Sequence, residues 1–447
     1  MTFEAFRKAA FEAALAAGCT AAETCFSEEE SFCAQVLDQQ LEKYTVSLSC
    51  ALGLRVQYQG RNGYAYTEQL ENPEQLVARA LDNARVIENT DDHPMMGPCA
   101  YRPVALPEDP CAGLSEAEKI ALAMDLEKQA LAADPRVDRV ETALVETGHG
   151  TLRLDNTLGL SATRQDRFSL SYVCAILKQG DQVQDGAAFR VRGEVKDTAA
   201  CAAEAAAEAA CRFDAQSAAP GTYPVVFRYD AAADLLAAFA SVFSADAAQK
   251  GLSLLAGQEG QRIASEAVTI MDDPFHPYAP RAFDDEGVPS LTKAVVEKGV
   301  LKTLLHNLKT ARKAGVSSTS NASRGSVGSP VGVAPSNFYI VPGEKTREQL
   351  LADMGNGLLI TEVSGLHAGL NPVSGDFSLL ARGMRVENGR CTVPVEQITV
   401  AGQFLQLLKH VRAVGSDLKF GFPGSVNIAS PSLLVDDIKI AGKDLAK

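Results

Sequence analysis

A zinc site carried on one helix needs two histidines about one turn apart, with a glutamate between them as general base. The 447 residues contain six histidines, followed in turn by Pro94, Gly150, Pro277, Asn307, Ala368 and Val411. None precedes a glutamate, and no two lie within five residues of each other. The helical run from Asp234 to Phe243 (DLLAAFASVF) offers Asp234 alone as a metal donor. The sequence also lacks a GxSxG nucleophile elbow, a GxxxxGK[ST] phosphate loop and a GxGxxG turn after a strand. The expectation is a chain with no catalytic residue, no metal ligand and no cofactor of its own.

Several segments are nevertheless more specified than ordinary loops. Phe283-Asp284-Asp285-Glu286-Gly287 places three acids side by side, which suits a cation, a base-orienting role or a turn before a hairpin. Ser317–Arg324 (SSTSNASR) is a hydroxyl-rich loop able to meet an anion or simply water. Gly365–Ser378 (GLHAGLNPVSGDFS) has glycines that permit positive φ and a close backbone approach, to a peptide strand or to the chain's own core. Val395–Gly402 reads as a buried strand feeding the last helix.

The elements that position these segments follow from periodicity. A helix is expected over 3–17, strands over 22–37 and 44–58, and a hairpin return over Tyr64–Thr67. Asn72-Pro73-Glu74-Gln75 has the form of a capping box opening a helix, and Ser115 to Glu118 a second one opening a helix to about Ala133. Residues 137–192 read as a strand meander with turns at Gly148-His149-Gly150, Asp155-Asn156 and Gly180-Asp181, closed by an alanine-rich helix over 198–212. A strand at 222–228, a helix at 231–248 and later helices at 347–354 and 402–413 follow, and Asn388-Gly389 marks a hairpin. Of 35 glycines, 23 fall after residue 220, which marks a change of texture.

The expected fold is α+β with three units. These are an N-terminal α/β domain (1–90), a middle α+β domain (112–216) and a Gly-rich C-terminal domain (222–447) of curved or barrel-like sheet with packed helices. Residues 91–112 would connect the first two.

Composition narrows the function classes. With 42 basic and 56 acidic residues the net charge is −14, which disfavours a direct nucleic-acid partner. No apolar run is long enough to cross a bilayer, and the N-terminus is an amphipathic helix rather than a signal peptide. The ten cysteines form no CxxC pair and several sit in apolar runs, the pattern of reduced thiols in a cytoplasmic protein.

Taken in order, Gly53-Leu54-Arg55-Val56, Gly63-Tyr64-Ala65-Tyr66, FDDEG, NASRGSVGSPVGVAPSNFYIVPG, GLHAGLNPVSGDFS, VENGR and VEQITVAG resemble the TldD/TldE (PmbA) family. Its members are described as modulators of DNA gyrase and as a two-subunit zinc metalloprotease acting on unfolded peptides. The TldD-type subunit carries HExxxH on the first helix of its C-terminal domain and a late cysteine. Here that helix has no histidine, Gly421–Pro431 has no cysteine, and Cys391 is the last cysteine. The resemblance therefore implies the TldE/PmbA-type subunit, with zinc only in a TldD-like partner. It implies a heterodimer with that partner, a homodimer when alone, and unfolded peptides as substrates. The alternative is a stand-alone peptide-binding or scaffold protein of the same fold. A peptide would lie along Gly365, His367, Gly369, Asn371, Gly375 and Asp376 as in strand addition, with Asp284, Asp285 and Glu286 near one end.

Overall fold

The computed structural model describes residues 1–88 and 92–443; the expected boundary at residues 89–91 lies outside them. Helix α1 (Phe3–Ala16) is capped by the Thr2 hydroxyl and buries Phe3, Phe6, Ala10 and Ala14 along one face. Three antiparallel strands follow: β1 (Ala21–Leu37), β2 (Gln40–Tyr58) and β3 (Arg61–Thr67). Helix α2 (Pro73–Val86) packs back on them. The same order recurs with α3 (Glu116–Ala133), β4 (Val137–Asn156), β5 (Ser161–Gln179), β6 (Gln182–Val191) and α4 (Thr198–Ala210). Pairing of β1 with β4 joins the two halves into one six-stranded sheet, ordered β3-β2-β1-β4-β5-β6.

Two local expectations are corrected here. Asn72 is left-handed (φ 52) and makes no side-chain cap, so α2 starts on the fixed φ of Pro73 rather than on a capping box. Gly148-His149-Gly150 is not a turn, because β4 runs straight through it, paired to β1 and β5 on both sides. Glycine leaves room there: a Cβ at Gly148 would meet the Phe168 ring at 2.3 Å. The Ser115–Glu118 capping box forms as expected.

The C-terminal half is built around strand β7 (Gly221–Phe227). It pairs parallel with Gly357–Ser364, which continues antiparallel to Asp376–Glu387 and on to Arg390–Gln403. That last strand pairs with Leu433–Ala441, which returns to β7. Among the described residues these strands close into a barrel, the curved sheet expected from the sequence. The Glu387–Arg390 turn has Asn388 at φ 51 and Gly389 at φ 75, so both central residues are left-handed, as a tight hairpin requires.

A second sheet holds Ile270–Asp272, Lys293–Glu297, Asn337–Ile340 and Asn427–Ser430. The main core lies between it and the barrel, with Phe239, Phe243, Phe338, Phe377 and Phe404 fully or nearly buried.

The helix expected over 231–248 is broken into α5 (Tyr229–Ala238), a 3-10 turn over Ala240–Phe243 and a short helix over Ala245–Gln249. Ser244 is extended (ψ 125), and its hydroxyl accepts from Ala247 N at 3.4 Å, so this N-cap divides the run. The helix expected over 402–413 is likewise shorter: it spans Phe404–Lys409, and Val411–Val414 becomes a strand on the barrel.

Candidate functional site

The β1–β2–β4–β5 end of the first sheet is buried on both faces. Ala22, Phe26, Leu52, Leu54 and Val56 face the helices, whereas Cys25 and Leu154 pack with Phe283 of the C-terminal half. Strand alternation therefore turns Glu23, Arg55 and Arg164 toward the FDDEG segment. Glu23 and Arg55 are each 1% exposed. An ionic cluster with little access to water results.

Each acid of that segment has a separate set of partners. Asp284 accepts backbone N–H groups of Glu286, Val288 and Ala322, each at 3.0 Å. Asp285 accepts from Arg164 Nη2 and from the Arg324 amide, both at 2.7 Å. Glu286 accepts from the Leu308 amide at 2.8 Å and meets His93 Nε2 of the connector. Arg324 reaches Glu23, and Arg55 donates to Asn62 Oδ1 and to the His93 carbonyl. Tyr101 donates to Gly287 O at 2.8 Å, so a second connector residue clamps the turn.

Burial and these charges set the protonation states. Burial, with Glu286 alongside, pushes the Asp284 carboxyl up to about 7. Burial also pushes Glu286 up to about 7, against the pull of Arg55. Burial works against the Asp285 carboxylate too, but Arg164 and Arg281 outweigh it and hold the group below its usual range. For His93, burial and then the Arg55 charge hold the imidazole down to about 3, so it is neutral at pH 7. A neutral imidazole and a carboxyl raised toward neutrality can share one proton across their contact, which makes the His93–Glu286 pair tolerable without water.

The cluster corrects the expected cleft. Asp284, Asp285 and Glu286 are 0%, 8% and 1% exposed and are satisfied within the chain, so they do not present a charged end to a peptide. Gly365, His367, Gly369, Asn371 and Gly375 lie elsewhere, in the connection between two barrel strands, and Asp376 opens the second of those strands. Much of that backbone pairs with itself: Gly369 N donates to Gly365 O, Gly375 N to Asn371 O and Asn371 N to Asp376 O, each at 2.8 Å. The Asn371 side chain accepts from Val373 N at 2.9 Å. Gly365 and Gly375 have φ of 84° and 79°, values that glycine adopts freely. His367, Asn371 and Asp376 are exposed.

The reading from sequence passed over Glu23, Arg164 and His93, and read Arg55 and Arg324 only as parts of motifs. The available signal was a charged residue on the second face of an otherwise apolar strand, as in Leu54-Arg55-Val56.

A catalytic zinc ion takes three protein ligands of the His, Cys or carboxylate type. Helix α5 and the turn after it expose Asp234, Ala237 and Ser241, of which only Asp234 is a metal donor. Among the described residues no group of three or more His, Cys, Asp or Glu side chains is placed to hold a metal ion. Among the described residues the donor set does not fit zinc.

Comparison with known proteins matches the chain along most of its length. Residues 22–84, 109–213 and 220–442 fit domain 1, the central domain and the C-terminal domain of the PmbA/TldA metallopeptidases. Metalloprotease PmbA of Escherichia coli O157:H7 is 28% identical over 90% of this chain and 88% of its own. The Metalloprotease TldD homolog of Haemophilus influenzae is 24% identical over 93% and 91%. A crystal structure from Thermotoga maritima, described as a modulator of DNA gyrase, is 36% identical with a TM-score of 0.90, covering 98% of this chain and all of that one. TldE from Thermococcus kodakarensis shares the fold, with a TM-score of 0.89 at 21% identity over 98% of this chain and 100% of its own. The chain belongs to the PmbA/TldD metallopeptidase family.

Proposed function

We propose that this protein is the TldE/PmbA-type subunit of a two-subunit zinc metalloprotease, acting on unfolded peptides through a TldD-like partner that carries the metal. The observation that supports the reading most directly is the exposed side of α5 and its following turn. Its exposed residues Asp234, Ala237 and Ser241 include no histidine and no glutamate, and neither occurs anywhere in residues 229–243. The subunit then contributes surface rather than chemistry, including the exposed Gly365–Asp376 loop as a contact for an extended peptide. A cytoplasmic location, and a homodimer when the partner is absent, belong to the same proposal.

The test is reconstitution with a TldD-type subunit. The expected result is no stoichiometric zinc and no proteolysis for this chain alone, and about one zinc per heterodimer with chelator-sensitive cleavage of an unfolded substrate for the pair. Zinc at one per chain with chelator-sensitive proteolysis by the isolated protein would falsify the proposal. A folded chain that captures no TldD-type subunit would leave the stand-alone peptide-binding reading in its place.

A further inference from the structure

Between β4–β5 and the C-terminal half lies a cavity of about 350 Å³, whose wall includes Arg164, Arg167, Arg192 and Arg281. That volume is at the small end of ligand pockets. Arg164 is neutralised by Asp285 at 2.7 Å. The other three make no ion pair among the described residues. Arg281 Nε and Nη2, Arg167 Nε and Arg192 Nε are out of contact with water and have no hydrogen-bond partner. Arg192 donates to the Arg167 carbonyl at 3.2 Å and lies over the Tyr278 ring at 4.9 Å. Asp272, Asp284 and Asp285 lie near enough to favour the Arg281 charge, but none makes an ion pair with it, and Asp272 is taken up by Lys293 at 2.7 Å. A buried guanidinium N–H without an acceptor is costly, and an anion in the cavity supplies one.

The lining also says which anion. Glu29 and Asp166 form part of the same wall. With the Arg164–Asp285 pair set aside, three cations face two acids. A singly charged, planar carboxylate suits this near balance and the fork of an arginine, whereas a doubly charged phosphate meets the two acids unfavourably. Resting on the peptide-handling reading above, we propose that this cavity binds the C-terminal carboxylate of a short peptide, with Arg281 as its principal anchor and Arg167 and Arg192 supporting it. Such a site would select a free chain end.

The experiment is calorimetric titration of the full-length protein with acetyl-trialanine as the free acid and as its C-terminal amide, with inorganic phosphate as a third probe. The acid is expected to bind at least about tenfold more tightly than the amide, the factor a charge-assisted pair provides. Phosphate is expected to bind more weakly than the acid. Arg281→Gln should reduce the acid to the level of the amide, and Arg281→Lys should recover part of the difference. Equal binding of acid and amide, binding of neither at millimolar concentration, tighter binding of phosphate, or an unchanged Arg281→Gln variant would each overturn the assignment. Should Arg281→Gln fail to fold, the acid–amide contrast on the native protein decides. Because binding is read on the isolated chain, a negative result alongside partner-dependent proteolysis overturns the cavity alone.

Discussion

Arg164 of strand β5 and Asp285 of the C-terminal half meet at 2.7 Å, and the same guanidinium donates to the Phe283 carbonyl at 3.2 Å. The two residues are 121 positions apart in sequence. Their contact ties the six-stranded sheet to the barrel half, next to the apolar contact of Cys25 and Leu154 with Phe283. Asp285 thus fastens the two halves to each other.

Removing one member of this pair strands the other in a place that water barely reaches. Arg164→Met is expected to cost about 3–5 kcal/mol in urea denaturation, the range for breaking a buried pair from one side. Protease cleavage in the connector (92–114) should accelerate, since the connector is clamped to the same segment through His93 and Tyr101. A loss below about 1 kcal/mol would place this pair among ordinary surface ion pairs.

Glu286 gives a pH signature of definite sign. Its carboxyl is raised from 4.5 to about 7 in the folded chain, chiefly by burial. The folded state therefore holds a proton that the unfolded state has released between those two values. The stabilisation is fully present below pH 4.5 and is lost as the pH rises through about 7. Glu286→Gln keeps an acceptor for the Leu308 amide but does not titrate. The stability of wild type relative to this variant should fall by about 1.4 kcal/mol for each pH unit between those limits. A flat difference from pH 5 to 8 would show that Glu286 titrates near its ordinary value.

Close approach of the two halves is also written in glycine. A Cβ at Gly53 would sit 1.7 Å from the Val327 carbonyl oxygen, so backbone must move to admit even a methyl group. Gly53→Ala is expected to destabilise by about 1–3 kcal/mol, the cost of overpacking. A neutral result in thermal unfolding would mean that the 327 segment does not lie against β2 in solution.

The contrast between what the sequence reveals and what it hides follows from range. The Ser115–Glu118 capping box, the Asn388-Gly389 hairpin and the helix at 347–354 depend on residues a few positions apart, and each forms as read. The break at Ser244 was hidden because alanine-rich sequence on both sides favours a helix, and the cap that divides it involves one hydroxyl. The duplicated order of helix, three strands and helix was hidden because the copies share an order of elements and no period of residue identity. The ionic cluster was the least legible. Its members come from positions 23, 55, 93, 164, 285, 286 and 324, and only β1–β4 pairing and the docking of the C-terminal half bring them together. A run of adjacent acids has the same composition whether water or arginine neutralises it.

The Gly365–Asp376 loop separates a structural role from a functional one when its residues are changed singly. Gly369 is a poor probe, because a Cβ there would meet the Ser378 carbonyl at 2.5 Å. Gly375 is no better, being buried at φ 79 against Gln403 and Leu254. Valine at either position is expected to lower the melting temperature measurably by strain alone. His367 is exposed, and none of the described hydrogen bonds or ion pairs uses its side chain, so His367→Ala should leave the melting temperature within about 1 °C of wild type. If the loop touches an extended peptide, partner-dependent proteolysis by the folded His367→Ala heterodimer should fall severalfold through a raised KM, with kcat little changed. Unchanged KM in a folded, paired variant would assign the loop to barrel construction and remove it from the peptide path.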